Sequence, residues 1–155
     1  MEVVGYRGIT GTASRTSMAW IKTSTVNGSI LIWGDTSVNG RRWDLRLQDF
    51  GGYHGRLMVS VKGAYQASRQ NLADGNWHHV AVVLEEDGTT STADIKLYID
   101  GVADTDVDTV DYPINTASLQ DVTIGSSVSY FNGLIDDVRI YDRALSTTDI
   151  AEIAQ

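Results

Sequence analysis

The 155-residue chain predicts an all-β fold, two antiparallel layers with one short C-terminal helix. Three observations predict it. Short runs of alternating apolar and polar residues recur between turn signals. Fifteen glycines stand against a single proline, a composition suited to many tight turns. Only one stretch, at the C-terminus, carries a helix start signal.

The elements follow in order. Residues 17–22 and 29–33 read as strands, the second ending at Gly34-Asp35. Asn39-Gly40 turns the chain into residues 42–48, where Trp43, Leu45 and Leu47 share one face and Asp44, Arg46 and Gln48 the other. Residues 56–62 alternate likewise, with Leu57, Val59 and Val61 opposite Arg56, Met58, Ser60 and Lys62. Asp74-Gly75-Asn76 leads into a long apolar strand at 77–84, and residues 95–102 form another ending at an Asp100-Gly101 hairpin turn. Residues 103–118 are weakly patterned and hold Pro113. Short strands at 122–125 and 133–141 follow. Ser146 to Asp149 then resembles a capping box, with Ile150 and Ile153 at helical spacing. Trp20 and Trp77 are expected in the core, and Trp33, at a strand end, is left open.

Composition narrows the function. No run of about 18 apolar residues occurs, so no membrane span is expected. Cysteine is absent, which removes disulfides, thiol nucleophiles and thiolate metal sites. A net charge of -8 argues against nucleic acid as a partner. The charge is uneven, however. Six of the twelve basic residues (Arg41, Arg42, Arg46, Arg56, Lys62 and Arg69) fall between 41 and 69, against Asp44 and Asp49 alone. That stretch is either an anion-binding surface or ordinary solvated sheet.

Four segments carry a family resemblance. They are Gly11-Thr12-Ala13-Ser14-Arg15-Thr16 leading to Trp20-Ile21-Lys22, Asp74-Gly75-Asn76-Trp77-His78-His79-Val80-Ala81, Ile95-Lys96-Leu97-Tyr98-Ile99-Asp100-Gly101, and the run from Phe131 to Ser146. In this order they resemble LamG-like domains of the concanavalin A-like lectin/glucanase superfamily. The resemblance implies a two-sheet antiparallel jelly-roll sandwich with one concave sheet, spanning 1–155 as a single domain. Members of the family usually begin with a further strand, which here is shortened to Glu2-Val3-Val4. The expected context is a larger secreted protein, with any export signal upstream and the module a monomer tethered to other domains.

An enzyme is not expected. Retaining glucanases need two carboxylates about 5 Å apart, written as ExDxxE on one strand. The glutamates here are Glu2, Glu85, Glu86 and Glu152, in no such pattern, and adjacent Asp136 and Asp137 point to opposite faces. His78 and His79 also point apart, so they cannot chelate one ion together. The resemblance implies at most one structural calcium ion, with Asp136 at the matching position and backbone carbonyls from the N-terminal segment. The leading expectation is a non-catalytic carbohydrate-binding module for an anionic (sulfated or uronate) polysaccharide. Its expected contacts are Arg42, Trp43, Arg46, Gln48, Tyr53, His54, Arg56, Lys62, Tyr65 and Arg69, although the parity of Trp43 with Leu45 favours the core. The alternative is a protein-binding or structural LamG-like domain of a cell-surface protein.

Overall fold

A computed structural model describes residues 1–125 and 129–155. The strands are β1 (Glu2–Val3), β2 (Arg15–Lys22), β3 (Gly28–Gly34), β4 (Arg42–Phe50), β5 (Tyr53–Ser60), β6 (Tyr65–Ser68), β7 (Trp77–Leu84), β8 (Lys96–Ile99), β9 (Val102–Asp104), β10 (Val107–Val110), β11 (Val122–Ile124) and β12 (Leu134–Tyr141). The helix α1 spans Thr147–Ile153. They form a seven-stranded sheet, β1-β11-β3-β4-β5-β6-β10, and a five-stranded sheet, β12-β2-β7-β8-β9. Every strand pairing is antiparallel. The two sheets pack face to face as a jelly-roll sandwich.

Alternation decides which side chains enter the core. Trp43, Leu45 and Leu47 of β4 and Leu57 and Val59 of β5 meet Ala19 and Ile21 of β2 and Val80, Val82 and Leu84 of β7 between the sheets. A second, smaller cluster lies outside the five-stranded sheet. There Leu145 and Ile150 cover Met18, Ala81, Val83 and Tyr98. The helix that supplies Ile150 starts as expected: Ser146 Oγ accepts from Asp149 N–H, and the Asp149 carboxylate accepts from Ser146 N–H.

The tryptophans depart from expectation. Trp33 is buried in the core and its indole N–H donates to Ile9 O, whereas Trp20 is half-buried and Trp77 is 41% exposed. The register explains this. Trp20 lies opposite His79 and Trp77 opposite Lys22, with the outward parity of Met18 rather than the inward parity of Ile21. The weakly patterned stretch after Ala103 contains β10, which pairs with β6. β10 is the four-residue edge strand of the sheet and β6 its four-residue neighbour, and neither shows a clear alternation to read.

The N-terminal Gly-Thr-Ala-Ser-Arg-Thr segment works as a latch. Arg15 is fully buried and donates to the carbonyls of Ile9, Gly11 and Ala13 and to Thr116 Oγ1, at 2.8–2.9 Å. The guanidinium also lies 5.0 Å from the Trp43 ring centre.

Candidate functional site

The outward face of the seven-stranded sheet gathers most of the expected contacts. Antiparallel register sets Arg46 opposite Met58, Gln48 opposite Arg56 and Asp44 opposite Ser60, and Ser29 of β3 flanks Arg46 on the other side. Asp44 is fully buried, with Oδ2 3.2 Å from Arg46 Nη1 and 3.8 Å from Arg42 Nε. Arg42 Nη2 donates to Ser60 Oγ at 2.5 Å. Burial raises the Asp44 pKa against the opposing pull of Arg46 and Arg42. It also lowers that of Arg42, with Asp44 acting the other way.

The β4–β5 hairpin end curls over this face. Phe50 pairs with Tyr53 at the tip and Tyr65 pairs with Ser60 far along the strand, yet the two rings meet edge-on at 5.5 Å. Gly51 and Gly52 make the turn at φ of 65° and 82°, values that L side chains rarely adopt. A ladder of cations and rings fixes the tip. The Tyr53 ring lies 5.2 Å from the Arg56 guanidinium and 5.7 Å from that of Arg69. Arg56 Nη2 donates to Asp108 Oδ2 at 2.7 Å, and Arg69 bonds both Asp106 and Asp108. Hydrogen bonds from Arg69 and Arg56 hold the Asp108 carboxyl below its usual range.

The charges divide the face into two halves. Arg56 and Arg69 are matched by Asp106 and Asp108, and Asp49 adds a further carboxylate beside His54, so the tip half carries no surplus cation. Arg42 and Arg46 share Asp44 alone, which leaves one positive charge in the open half. The remaining expected contacts are scattered. Trp43 is wholly buried between the sheets and its N–H donates to Ser17 Oγ, so it is corrected from ligand contact to core residue. Lys62 lies in the turn after β5, which ends at Ser60, at φ 65° rather than on the strand expected through residue 62. His54 stands exposed at the hairpin tip, its Nδ1 2.8 Å from Asp49 Oδ1.

Sequence reasoning missed Ser29, Asp44, Ser60 and Phe50. Parity placed Asp44 outward, but nothing in the sequence marked it as the shared anion of two arginines. Phe50 lies two residues beyond the strand end expected at residue 48, and the adjacent glycines were the available signal of the turn that carries it to Tyr65.

The two histidines explain a second motif. His78 has Nδ1 2.9 Å from Asp100 Oδ2 and Nε2 3.2 Å from Asp74 Oδ1, while His79 N–H donates to Asp100 Oδ1. Asp100 therefore ties the Asp-Gly hairpin to β7. Among the described residues, no three acidic or imidazole groups converge to hold a metal ion. Asp136 is exposed on the outward face of β12 opposite Trp20, and its Oδ1 accepts from Asp137 N–H. The N-terminal strand β1 belongs to the other sheet. A calcium ion takes 6–8 oxygen ligands, and among the described residues Asp136 belongs to no cluster of three acidic or imidazole groups.

A family model described as Concanavalin A-like lectin/glucanases superfamily matches residues 4–151. The chain belongs to that superfamily. Solved structures agree on the superfamily fold. Domain 4 of the extracellular GH43 arabinanase AbnA from Geobacillus stearothermophilus, in complex with arabinotriose, is 22% identical with a TM-score of 0.68, covering 95% of this chain and 68% of that one. The Ruminococcus gnavus IT-sialidase CBM40 is 15% identical with a TM-score of 0.66, over 93% and 84% of the two chains. Domains LG4-5 of the mouse laminin alpha1 chain are 16% identical with a TM-score of 0.63, over 92% and 40%. At these identities the likeness shows the fold alone. No curated protein sequence matches the chain.

Proposed function

We propose that the chain is a non-catalytic carbohydrate-binding module that takes an anionic polysaccharide on the outward face of its seven-stranded sheet. One observation carries this reading. Among the described residues, eight buried side-chain polar atoms lack a close hydrogen-bond partner, and three arginine Nε–H groups among them, those of Arg42, Arg46 and Arg56, lie on this face. A buried donor without a partner costs about 1–3 kcal/mol; the Arg42 and Arg46 side chains stay 11% and 12% exposed, and a ligand anion would meet them through those exposed atoms.

The ligand class follows from what surrounds them. Tyr53, Tyr65 and Phe50 offer ring surface to a sugar, and Gln48 and Ser60 offer neutral hydrogen-bonding groups. The unmatched charge at Arg42 and Arg46 suits a carboxylate or sulfate, which a guanidinium meets with two parallel bonds. The arabinanase domain complexed with arabinotriose and the sialidase CBM40 support a glycan as the ligand class. The carboxylates on the face are engaged by basic side chains, Asp44 by Arg42 and Arg46, Asp106 and Asp108 by Arg56 and Arg69, and Asp49 by His54. That supports attachment rather than hydrolysis, since a glycosidase needs one carboxyl free to move a proton. The module would be extracellular and act by raising the local concentration of attached domains at the polysaccharide.

Affinity electrophoresis through gels containing sulfated, uronate or neutral polysaccharides tests the reading. Retardation by an anionic glycan that weakens with salt is expected. Equal mobility in all the anionic gels and in the blank gel would overturn it.

A further inference from the structure

The opposite face of the sandwich carries a feature that the arginine-lined face does not explain. Helix α1 and Leu145 cover only one end of the outward side of the five-stranded sheet, over Met18, Ala81, Val83 and Tyr98. Among the described residues, neither α1 nor Leu145 reaches the other end. There Leu134 and Asp136 of β12, Lys22 and Trp20 of β2, and Trp77 and His79 of β7 share one face in continuous register. Leu134 is 57% exposed and Trp77 41%.

The four tryptophans sort into two kinds. Trp33 and Trp43 are buried and each indole N–H has an acceptor, Ile9 O and Ser17 Oγ. The N–H groups of Trp20 and Trp77 find no acceptor among the described residues. Trp77 lies diagonally across the β2–β7 pair from Trp20, close enough for long side chains to act together. Trp20 is held in place by His79, which it meets edge-on at 5.4 Å. His79 is itself 1% exposed, anchored by Asp100 and left with Nδ1 unpartnered. A rigid floor thus supports two indoles whose donors are free.

No surplus cation stands around the patch. Lys22 lies diagonally from Asp136 across the β2–β12 pair, Arg139 closes a two-bond pair with Asp137 at 2.8 and 2.7 Å, and Asp74 and Asp100 flank His78 beside Trp77. This contrasts with the unmatched cation of the other sheet. Flat aromatic surface, free N–H donors and flanking carboxylates, which would repel an anion but can accept from hydroxyls, suit a neutral sugar, whose C–H face stacks on a ring while its hydroxyls bond at the edge.

We infer that this other end of the five-stranded sheet is a second glycan site, a Trp77–Trp20 platform for neutral sugar residues. The same chain would then hold a polysaccharide by two faces of different charge. The inference uses residues separate from the Arg42–Arg46 face, and the two can fail independently.

The test uses the whole chain, with Trp77→Ala and the double variant Arg42→Ala/Arg46→Ala. Each is run in gels containing arabinan, galactan, mannan or hydroxyethylcellulose, and in parallel by acrylamide quenching of tryptophan fluorescence. Trp77 is exposed, so its removal should leave the urea midpoint nearly unchanged. If that variant does not fold, Lys22→Ala with the quenching measurement on the unaltered chain decides the matter. Retardation by at least one neutral glycan is expected, reduced tenfold or more in Trp77→Ala and kept in the double arginine variant. The same glycan should shield the quenchable tryptophan signal, which the buried Trp33 and Trp43 do not supply. Absence of retardation in every neutral gel overturns the inference, as does unchanged retardation in Trp77→Ala. Concentration-dependent dimers in sedimentation that Trp77→Ala abolishes would also overturn it, by assigning the platform to a second copy of the chain.

Discussion

Replacing Arg15 by methionine asks whether the N-terminal latch stabilises the fold or burdens it. The buried guanidinium pairs with no carboxylate among the described residues, and burial drives its pKa down to about 10. At about 1.4 kcal/mol per pH unit, holding the cation inside opposes folding by roughly 3 kcal/mol. Against this stand four hydrogen bonds to Ile9, Gly11, Ala13 and Thr116. Bonds from a charged donor contribute about 1.5–3 kcal/mol each, together roughly 6–12 kcal/mol. The bonds win. Methionine relieves the burial cost but strands four acceptors, some of which can turn to water, so a net loss of about 3–5 kcal/mol is expected. Urea unfolding should show a lower midpoint at unchanged slope. Thermal unfolding should fall by roughly 10–15 °C, at about 2–4 °C per kcal/mol for a domain of this size. Lysine should recover little, because one ammonium cannot replace the planar fork. A loss below about 1 kcal/mol would refute the latch.

The neighbouring histidines should titrate on opposite sides of the ordinary value. Burial pushes the His78 pKa down, but its bonds to Asp100 and Asp74 outweigh that and raise it, while burial lowers His79. His78 therefore adds stability below about pH 6.5 that is lost as pH rises through its folded pKa. His79 adds stability above about pH 6.5 that is lost as pH falls through its own. NMR titration of the two rings checks this, and midpoints on the same side would contradict it. Gly40→Ala should destabilise by more than about 2 kcal/mol in urea, since the residue sits at φ 73° and a Cβ would lie 2.5 Å from Pro113 O. Adding calcium or a chelator should leave the thermal midpoint unchanged, because Asp136 lacks converging ligands; a rise with calcium would show a site assembled in another way.

The sheet layout was legible where alternation was strong. Trp43, Leu45 and Leu47 against Asp44, Arg46 and Gln48 gave both the core side and the outward side of β4, and the Arg46–Met58 and Gln48–Arg56 register followed from adjacent strands. Trp20 and Trp77 were misplaced because β2 and β7 are apolar on both faces, where α1 and Leu145 cover the outer one, which hides the alternation. Residue type then overrode parity in the reading. Charge was legible only as a total. The basic stretch from Arg41 to Arg69 looked uniformly cationic, but its partners Asp106 and Asp108 come from β10 and the segment before it, nearly forty residues away from Arg69 in sequence. Such long-range pairing cannot be read without the register of an edge strand that has no pattern of its own.

On the proposed function, Arg42 and Arg46 meet the anionic group of a glycan while Arg56 and Arg69 stay with their carboxylates. The most direct test follows the arginine side-chain Nε–H signals by NMR during titration with an anionic oligosaccharide. The Arg42 and Arg46 signals should shift together and saturate, those of Arg56 and Arg69 should stay nearly fixed, and Arg46→Ala should weaken binding roughly tenfold or more, about 1.4 kcal/mol. Shifts confined to Arg69 and His54 at the hairpin tip, or affinity unchanged in Arg46→Ala, would contradict the account.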